Sequence, residues 1–504
     1  MSDNSRSAPR KRKAPIEMTP DEFRAAGHKL VDDIAEFLQA LGDRPVSRDE
    51  QPSDIHKLLP EKLPEKGTDP AELLRDFVPQ FFDHSTFNGH PRFYGYITSS
   101  AAPIGALADM LAAAVNPNLG GWQLSPIASE IEKQCVEWIA ELIGFPKGGS
   151  GVFVSGGNVA NFLCFLAARQ AKAPANLRAG GITEAGGRML VYATSETHTW
   201  IQKATDIFGH GTDTMRTIPL DKDLHADITS LGEQIEADRR QGDHPFLIVG
   251  TGGTVGTGAI DPLPDLAAIA RKHDLWFHVD GAYGALAAIL PDCPPELRGL
   301  ELADSVAVDP HKWLYSPLEA GCVLVRDKDA LVNAFSYTPP YYHFEEEEEP
   351  KINYYEYGLQ NSRGFRALKT WLAIRQVGRS GYIEMIEDDI ALSKAMYDAA
   401  DDDPELEAVT QSLSITTFRY VPQDLTPGSA PVEKYLNDLN EEILVRLKHT
   451  GESFLTNAVI GEMFVLRGCI VNFRTSLDDI AALPDIVKRH GADADKVMRP
   501  AELS

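Results

Sequence analysis

Ala307-Val308-Asp309-Pro310-His311-Lys312-Trp313-Leu314 is the stretch on which the fold and the chemistry turn. Residues 305–308 form an apolar run that reads as a buried strand. Pro310 has no N–H to donate and ends the ladder. Lys312 therefore falls in a loop just past a strand end, between an imidazole and an indole. Withdrawal from water favours the neutral form of an amine, and a neutral amine is a nucleophile that forms a Schiff base with a carbonyl. A lone lysine at a loop mouth is ordinarily just a solvated side chain. The other strand ends give this one its meaning.

Working outward, short apolar runs occupy residues 151–154, 189–193, 216–218, 246–250, 276–279, 305–308 and 322–325. Helical patterns at 159–169, 200–208 and 264–273 lie between several of them. Strands alternating with helices predict a largely parallel sheet covered on both faces. Such sheets bind ligands beyond the carboxyl ends of their strands.

The residues at those ends form a pattern. Ser155-Gly156-Gly157-Asn158 leads from the first run into a helix, and free N–H groups at a helix start suit a phosphate. It is not a Walker loop, and the glycines between 250 and 258 do not fit GxGxxG, so neither a nucleoside triphosphate nor NAD is indicated. Thr194-Ser195-Glu196-Thr197-His198 follows the second run, and His198 can stack its ring on a flat ligand. Thr251-Gly252-Gly253-Thr254 offers hydroxyls after another. Asp280 follows residues 276–279 directly, and a carboxylate there is costly unless paired, for which a protonated ring nitrogen would serve. Each of these alone is equally a plain turn, a core histidine or a cap. A phosphate cradle, a stacking histidine, a carboxylate and a Schiff-base lysine at successive strand ends describe a pyridoxal phosphate site.

The flanks set the frame. A chain of 504 residues predicts more than one domain. Its net charge of −26 argues against nucleic acid or an anionic membrane as main partner, and no apolar run approaches membrane-spanning length. Five scattered cysteines without CxxC spacing fit a reducing cytoplasm. Residues 1–17 read as a disordered polar tail carrying the basic run Arg10 to Lys13. Thr19-Pro20-Asp21-Glu22 is a helix start with a capping box, and a second helix is expected at 71–82. Two helices around a proline-rich stretch make a poor independent domain, so residues 18–98 are expected to pack on another subunit. Residues 89–122 are rich in Gly, Ala, Ser, Pro and Asn around a few aromatics, with 90–96 a tight, exposed aromatic loop, and 125–142 read as an amphipathic helix. A helix is expected from Phe365 to Val377, then a smaller α+β domain with strands at 413–420 and 464–473.

On these residues the chain resembles the group II pyridoxal-phosphate decarboxylases of the aromatic L-amino acid decarboxylase type. The likeness runs from about Thr19 to Thr475, through His90-Pro91, residues 107–111, Ser155-Gly156-Gly157, His198, His278-Val279-Asp280, His311-Lys312-Trp313, residues 365–369 and Asn472-Phe473-Arg474. It implies the aspartate-aminotransferase-like type I fold: a seven-stranded, mostly parallel sheet, an N-terminal helical segment (18–98), a large cofactor domain (99–370) and a small C-terminal α+β domain (371–504). It also implies a homodimer with the site at the interface.

Site roles follow from the resemblance in the same way. Lys312 would bind the cofactor covalently, Asp280 would pair with its ring nitrogen, and His198 and Ala282 would lie on its two faces. Gly156, Gly157 and His311 would take the phosphate, with Thr254 nearby. Tyr341, or Tyr342 if the register slips by one, would be the loop acid that protonates Cα. The acidic, tyrosine-rich stretch 338–357 suits a lid that excludes water. Ile97, Thr98, Ser99, Trp313 and Ser362 would line the substrate pocket, with Leu119 and Gly120 of the partner subunit. Gly120 replaces an aromatic of some relatives and implies a roomier pocket, and Ser362 points to phenolic substrates. Asp309 stands where some relatives have asparagine, and a second carboxylate beside a phosphate would be repelled. The implied reaction is decarboxylation of tyrosine or DOPA, or of tryptophan or 5-hydroxytryptophan. An aldehyde synthase and a decarboxylase of a non-aromatic amino acid are the alternatives.

Overall fold

The computed structural model describes residues 14–337 and 351–503. The basic run 10–13, Tyr341, Tyr342 and most of the expected lid lie outside the described residues.

The centre is a seven-stranded sheet in the order β1-β7-β6-β5-β4-β2-β3. Its strands are β1 (Ser150–Val154), β2 (Met189–Thr194), β3 (Met215–Ile218), β4 (His244–Thr251), β5 (Trp276–Asp280), β6 (Ser305–Val308) and β7 (Gly321–Val325). Every apolar run expected as a strand is one. β2, β5, β6 and β7 are buried along their whole length. That explains why they read as unbroken apolar runs instead of alternating ones. All pairings are parallel except those of β7, which runs antiparallel to both β1 and β6.

The second sheet, β10-β11-β9-β8, is four-stranded and antiparallel. It contains β8 (Leu406–Ser412), β9 (Ile415–Tyr420), β10 (Thr456–Ile460) and β11 (Met463–Cys469). β9 and β11 match the expected strands. β8 and β10 are half-exposed strands of mixed polarity, and their patterns did not mark them. Helices Ala430–Thr450 and Leu477–Met498 pack with this sheet. The helical stretch Ala367–Asp401 joins the two sheets. Its backbone leaves helical geometry at Gly378, with φ of 69°, one residue past the expected end at Val377. A second helical length then continues into the small domain.

The N-terminal segment departs from expectation in two places. Residues Pro103–Val115, within the stretch rich in small residues for which no helix is expected, form a helix. The alanines that look like low-complexity loop in sequence are the strongest helix formers. The turn 90–96 is mostly buried: Phe93 and Tyr94 are enclosed and only Tyr96 faces solvent. The small domain stitches it in place, since the Tyr94 N–H donates to Phe454 O at 2.8 Å and Cys469 N–H to Tyr94 O at 2.9 Å. Helix Pro20–Ala40 carries its capping box at Thr19 and Glu22, as expected. It packs on helix Pro70–Asp83 through stacked Phe37 and Phe82, 4.3 Å between centroids. Leu73, Phe77 and Phe81 nonetheless stand exposed along one face of the second helix.

Candidate active site

β5 and β6 lie side by side in register, with Asp280 opposite Ala307. The sheet therefore sets Asp280 next to the turn that carries Lys312. That turn is wound by two successive hydrogen bonds, Lys312 N–H to Asp309 O and Tyr315 N–H to Lys312 O, both 2.9 Å. Trp313 and Tyr315 anchor its far side by donating to the buried carboxylate of Asp389. The Lys312 amine is left at a cavity of about 350 Å³ beyond the strand ends.

Asp280, Lys312, His198, Gly156 and Gly157 all line this cavity. Asp280 is buried; its Oδ2 accepts from the indole N–H of Trp200 at 2.7 Å and its Oδ1 from the Ala282 N–H at 3.2 Å. Ala282 and His311 are also in the wall. His311 Nδ1 donates to Ala320 O at 2.6 Å, which turns Nε2 toward Asp309 Oδ2 at 3.6 Å. Burial pulls the His311 pKa below its ordinary value, with Asp309 opposing. Gly156 has φ of +81°, so the chain turns tightly from β1 into helix Gly157–Ala171. A Cβ at Gly157 would come within 2.7 Å of Asp309 Oδ2, so only glycine fits.

A scan against family descriptions matches residues 52–421 to the pyridoxal-dependent decarboxylase conserved domain. The chain belongs to that family. It is 32% identical over 467 residues to an aromatic-L-amino-acid decarboxylase of Bacillus atrophaeus, covering 92% of this chain and 94% of that one. It is 30% identical over 486 residues to tyrosine decarboxylase 3 of Petroselinum crispum, covering 95% and 93%. It is 29% identical to a phenylacetaldehyde synthase of a Rosa hybrid cultivar, covering 94% of each chain. Among solved structures, Oryza sativa TDC with PLP and tryptamine superposes with a TM-score of 0.87 at 27% identity, covering 96% of this chain and 99% of that one. The fold is the type I pyridoxal phosphate fold, the protein is a pyridoxal-phosphate-dependent amino-acid decarboxylase, and pyridoxal 5′-phosphate is its cofactor.

The decarboxylase's own residues fit that cofactor. A strand-to-helix turn without side chains, a buried carboxylate held by two N–H donors and an amine face one cavity. One residue sits awkwardly. Asp309 is buried, its Oδ1 has no hydrogen-bond partner among the described residues, and its Oδ2 lies beside Gly157.

Some residues expected at the site are placed elsewhere. The Thr254 side chain is buried against Thr257 Oγ1 at 3.1 Å, and Thr251, Gly253 and Val255 form that wall instead. Of the substrate-side residues, Ile97 lines the cavity. Ser99 Oγ donates to His311 O at 2.7 Å and so braces the Lys312 turn. Thr98 is half-buried, its hydroxyl without a partner. Trp313 is a core residue: it is fully buried, packed 4.6 Å from the Tyr283 ring and bonded to Asp389. Leu119 is also fully buried within its own chain, which leaves its side chain nothing to offer a partner's pocket. Gly120 gives no extra room, because a Cβ there would run into the carbonyl oxygen of Asn361. Ser362 is exposed and outside the cavity wall.

Sequence reasoning missed Trp200, Asn161 and Asp389. Trp200 and Asn161 lie on helices beside recognised motifs, but nothing in a linear pattern reveals that an indole reaches Asp280 across the sheet. Asp389 looked like any acidic residue on a helix.

Proposed function

We propose that the protein decarboxylates an aromatic L-amino acid, tyrosine or DOPA before tryptophan, to the corresponding amine and CO₂. The observation that carries this reading is that Lys312 and Asp280, from adjacent strand ends, line one cavity with His198. The sequence likeness to aromatic and tyrosine decarboxylases supports the aromatic class.

Pyridoxal phosphate, when bound, supplies an electron sink for the pair left behind as CO₂ departs. The protein does the rest. Lys312 would provide the amine that holds the cofactor. Asp280, fixed by its two donors, keeps a proton on the ring nitrogen and so preserves the sink. His198 and Ala282, both in the cavity wall, would hold the flat ring between them and so fix the plane against which the substrate is oriented. Gly156, Gly157 and His311 hold the phosphate end. Tyr341, outside the described residues, delivers the proton to Cα.

The exposed stripe Leu73, Phe77 and Phe81, with Leu107, Met110 and Leu111 on helix Pro103–Val115, supports a homodimer, since contiguous apolar faces of this kind mark association sites. Five unpaired cysteines support a cytoplasmic setting. Among the described residues no helix is long and apolar enough to cross a membrane.

The test is product analysis with tyrosine, DOPA, tryptophan and 5-hydroxytryptophan, with Lys312→Ala as control. Amine and CO₂, both lost in the variant, uphold the proposal. Aldehyde and ammonia in place of amine would make the protein an aldehyde synthase. No turnover of any of the four would move it to a non-aromatic substrate.

A further inference from the structure

We propose that Trp200 is a positioning residue for the cofactor: its indole N–H fixes the orientation of the Asp280 carboxylate. The inference rests on the reading of Asp280 as the partner of the ring nitrogen and extends it by one residue.

Trp200 opens helix Trp200–Ile207 and is fully buried. Its Nε1–H donates to Asp280 Oδ2 at 2.7 Å, while Oδ1 holds the Ala282 N–H at 3.2 Å. One donor on each oxygen fixes the carboxylate plane, leaving a lone pair free on the cavity side. A charge-assisted bond of this length inside a dry core is strong and directional.

The indole is itself held in place. It meets the His278 ring edge-on, 5.6 Å between centroids and 86° between planes. His278 is clamped at both nitrogens. Asn161 Oδ1, 2.7 Å away, can only accept, so Nε2 carries the proton. Nδ1 then accepts from Ser305 Oγ at 2.9 Å, and that oxygen in turn accepts from Trp276 Nε1 at 2.8 Å. Burial pushes the His278 pKa down to about 4, so this support is neutral under ordinary conditions. With these donors and acceptors every partner in the His278–Trp200–Asp280 series is satisfied. Supporting side chains of this kind orient a functional group without touching the ligand.

A purely structural Trp200 would only fill volume, so the experiment removes the N–H and keeps an aromatic ring, using Trp200→Phe, which also gives up part of the indole's volume. In parallel, a site-specific benzothienylalanine at position 200 keeps the full bicycle without the donor and covers the case in which the phenylalanine variant fails to fold. Cofactor is stripped from the full-length protein and pyridoxal phosphate titrated back, reading the dissociation constant and the visible absorbance of the bound form. The same titration is run in an Asp280→Asn background. The expected result is roughly tenfold weaker cofactor binding, the size of one charge-assisted hydrogen bond. An altered absorbance profile should accompany it, with little further loss when Asp280 is already changed. Unchanged binding and absorbance in the Trp200 variants, while Asp280→Asn alters both, would overturn the proposal. So would equal losses in the two backgrounds, which would assign Trp200 to packing alone. If Asp280→Asn leaves both readouts unchanged, the reading of Asp280 falls first and takes the proposal with it.

Discussion

Lys312 Nζ lies 3.2 Å from Oδ2 of Asp309, and the other oxygen of that carboxylate has no hydrogen-bond partner. A phosphate held at Gly156 and Gly157, as proposed, would meet the buried Asp309 carboxylate and its negative charge at close range. Asp309→Asn keeps the shape and removes that charge. Like charges a few ångströms apart at a partly buried site repel by more than the energy of a tenfold change. The variant should therefore bind pyridoxal phosphate about tenfold more tightly, and inorganic phosphate should compete better against it. Absorbance titration of the stripped protein checks this. Weaker binding would show that the carboxylate serves the cofactor through Lys312 and outweighs the repulsion.

Glu132 and Arg363 form an ion pair that is almost completely buried. Glu132 Oε1 also accepts from the Phe153 N–H at 3.0 Å, and Arg363 donates to Phe153 O at 2.7 Å. The Arg363 guanidinium lies 4.7 Å over the Tyr354 ring. The pair thus ties the segment after the expected lid to β1, whose end begins the phosphate cradle. Glu132→Ala would leave the guanidinium buried without its anion, which costs about 3–5 kcal/mol. A clear fall in the urea midpoint is expected. A midpoint within error of wild type would mean that water reaches Arg363.

The sequence was most legible where chemistry and topology coincide. Continuous apolar runs such as 305–308 and 276–279 marked the strands of the parallel sheet, and Lys312 and Asp280 were visible because they follow those runs directly. Legibility failed where a residue's role depends on what lies across a sheet or behind a turn. Trp313 and Leu119 were assigned to the substrate pocket, but the core claims both side chains. Helix Pro103–Val115 was hidden by its own small residues, whose helical preference is strong but whose pattern is featureless. The edge strand β10, Thr456–Ile460, has its solvent-facing positions filled by polar and apolar residues alike, so period-two alternation is blurred.

Phe77 and Phe81 lie one helical turn apart, their rings 5.8 Å from each other, and both are exposed. Among the described residues nothing covers them, and in the proposed homodimer a second copy would. The double variant Phe77→Glu/Phe81→Glu places two charges on that face and should shift a dimer toward monomer, read by sedimentation or by light scattering after gel filtration. Folding of the subunit should be retained, because only Val78 of helix Pro70–Asp83 is buried in the chain. An unshifted dimer would move the interface elsewhere, with the exposed side chains of helix Pro103–Val115 next in line.

Asp389 sets a pH dependence that can be isolated. Burial pushes its carboxyl up to about 7, against the donors Tyr315, Trp313 and the Asn472 N–H. An unfolded aspartate titrates near 4. Between those values the folded chain holds a proton that the unfolded chain has released. This group's contribution to stability therefore falls as pH rises from about 4 to about 7, and it is level above that. The span is worth up to about 4 kcal/mol, at 1.36 kcal/mol per unit. Asp389→Asn presents its one oxygen to Trp313 and Tyr315, turns its amide NH2 toward the Asn472 N–H at a fixed, pH-independent cost, and carries no charge. Its urea midpoint relative to wild type should climb between pH 5 and pH 8, with the variant gaining as wild-type Asp389 is forced to ionise. A constant difference across that range would mean that the carboxyl is ionised throughout. Trp313 and Tyr315 follow Lys312 on its turn and both donate to Asp389, so the titration that weakens the wild-type fold occurs at the support of Lys312, the proposed cofactor lysine. Cofactor release followed over the same pH range separates the two consequences. If ionised Asp389 grips its two donors more firmly, release from wild type slows as pH rises while release from the variant stays flat.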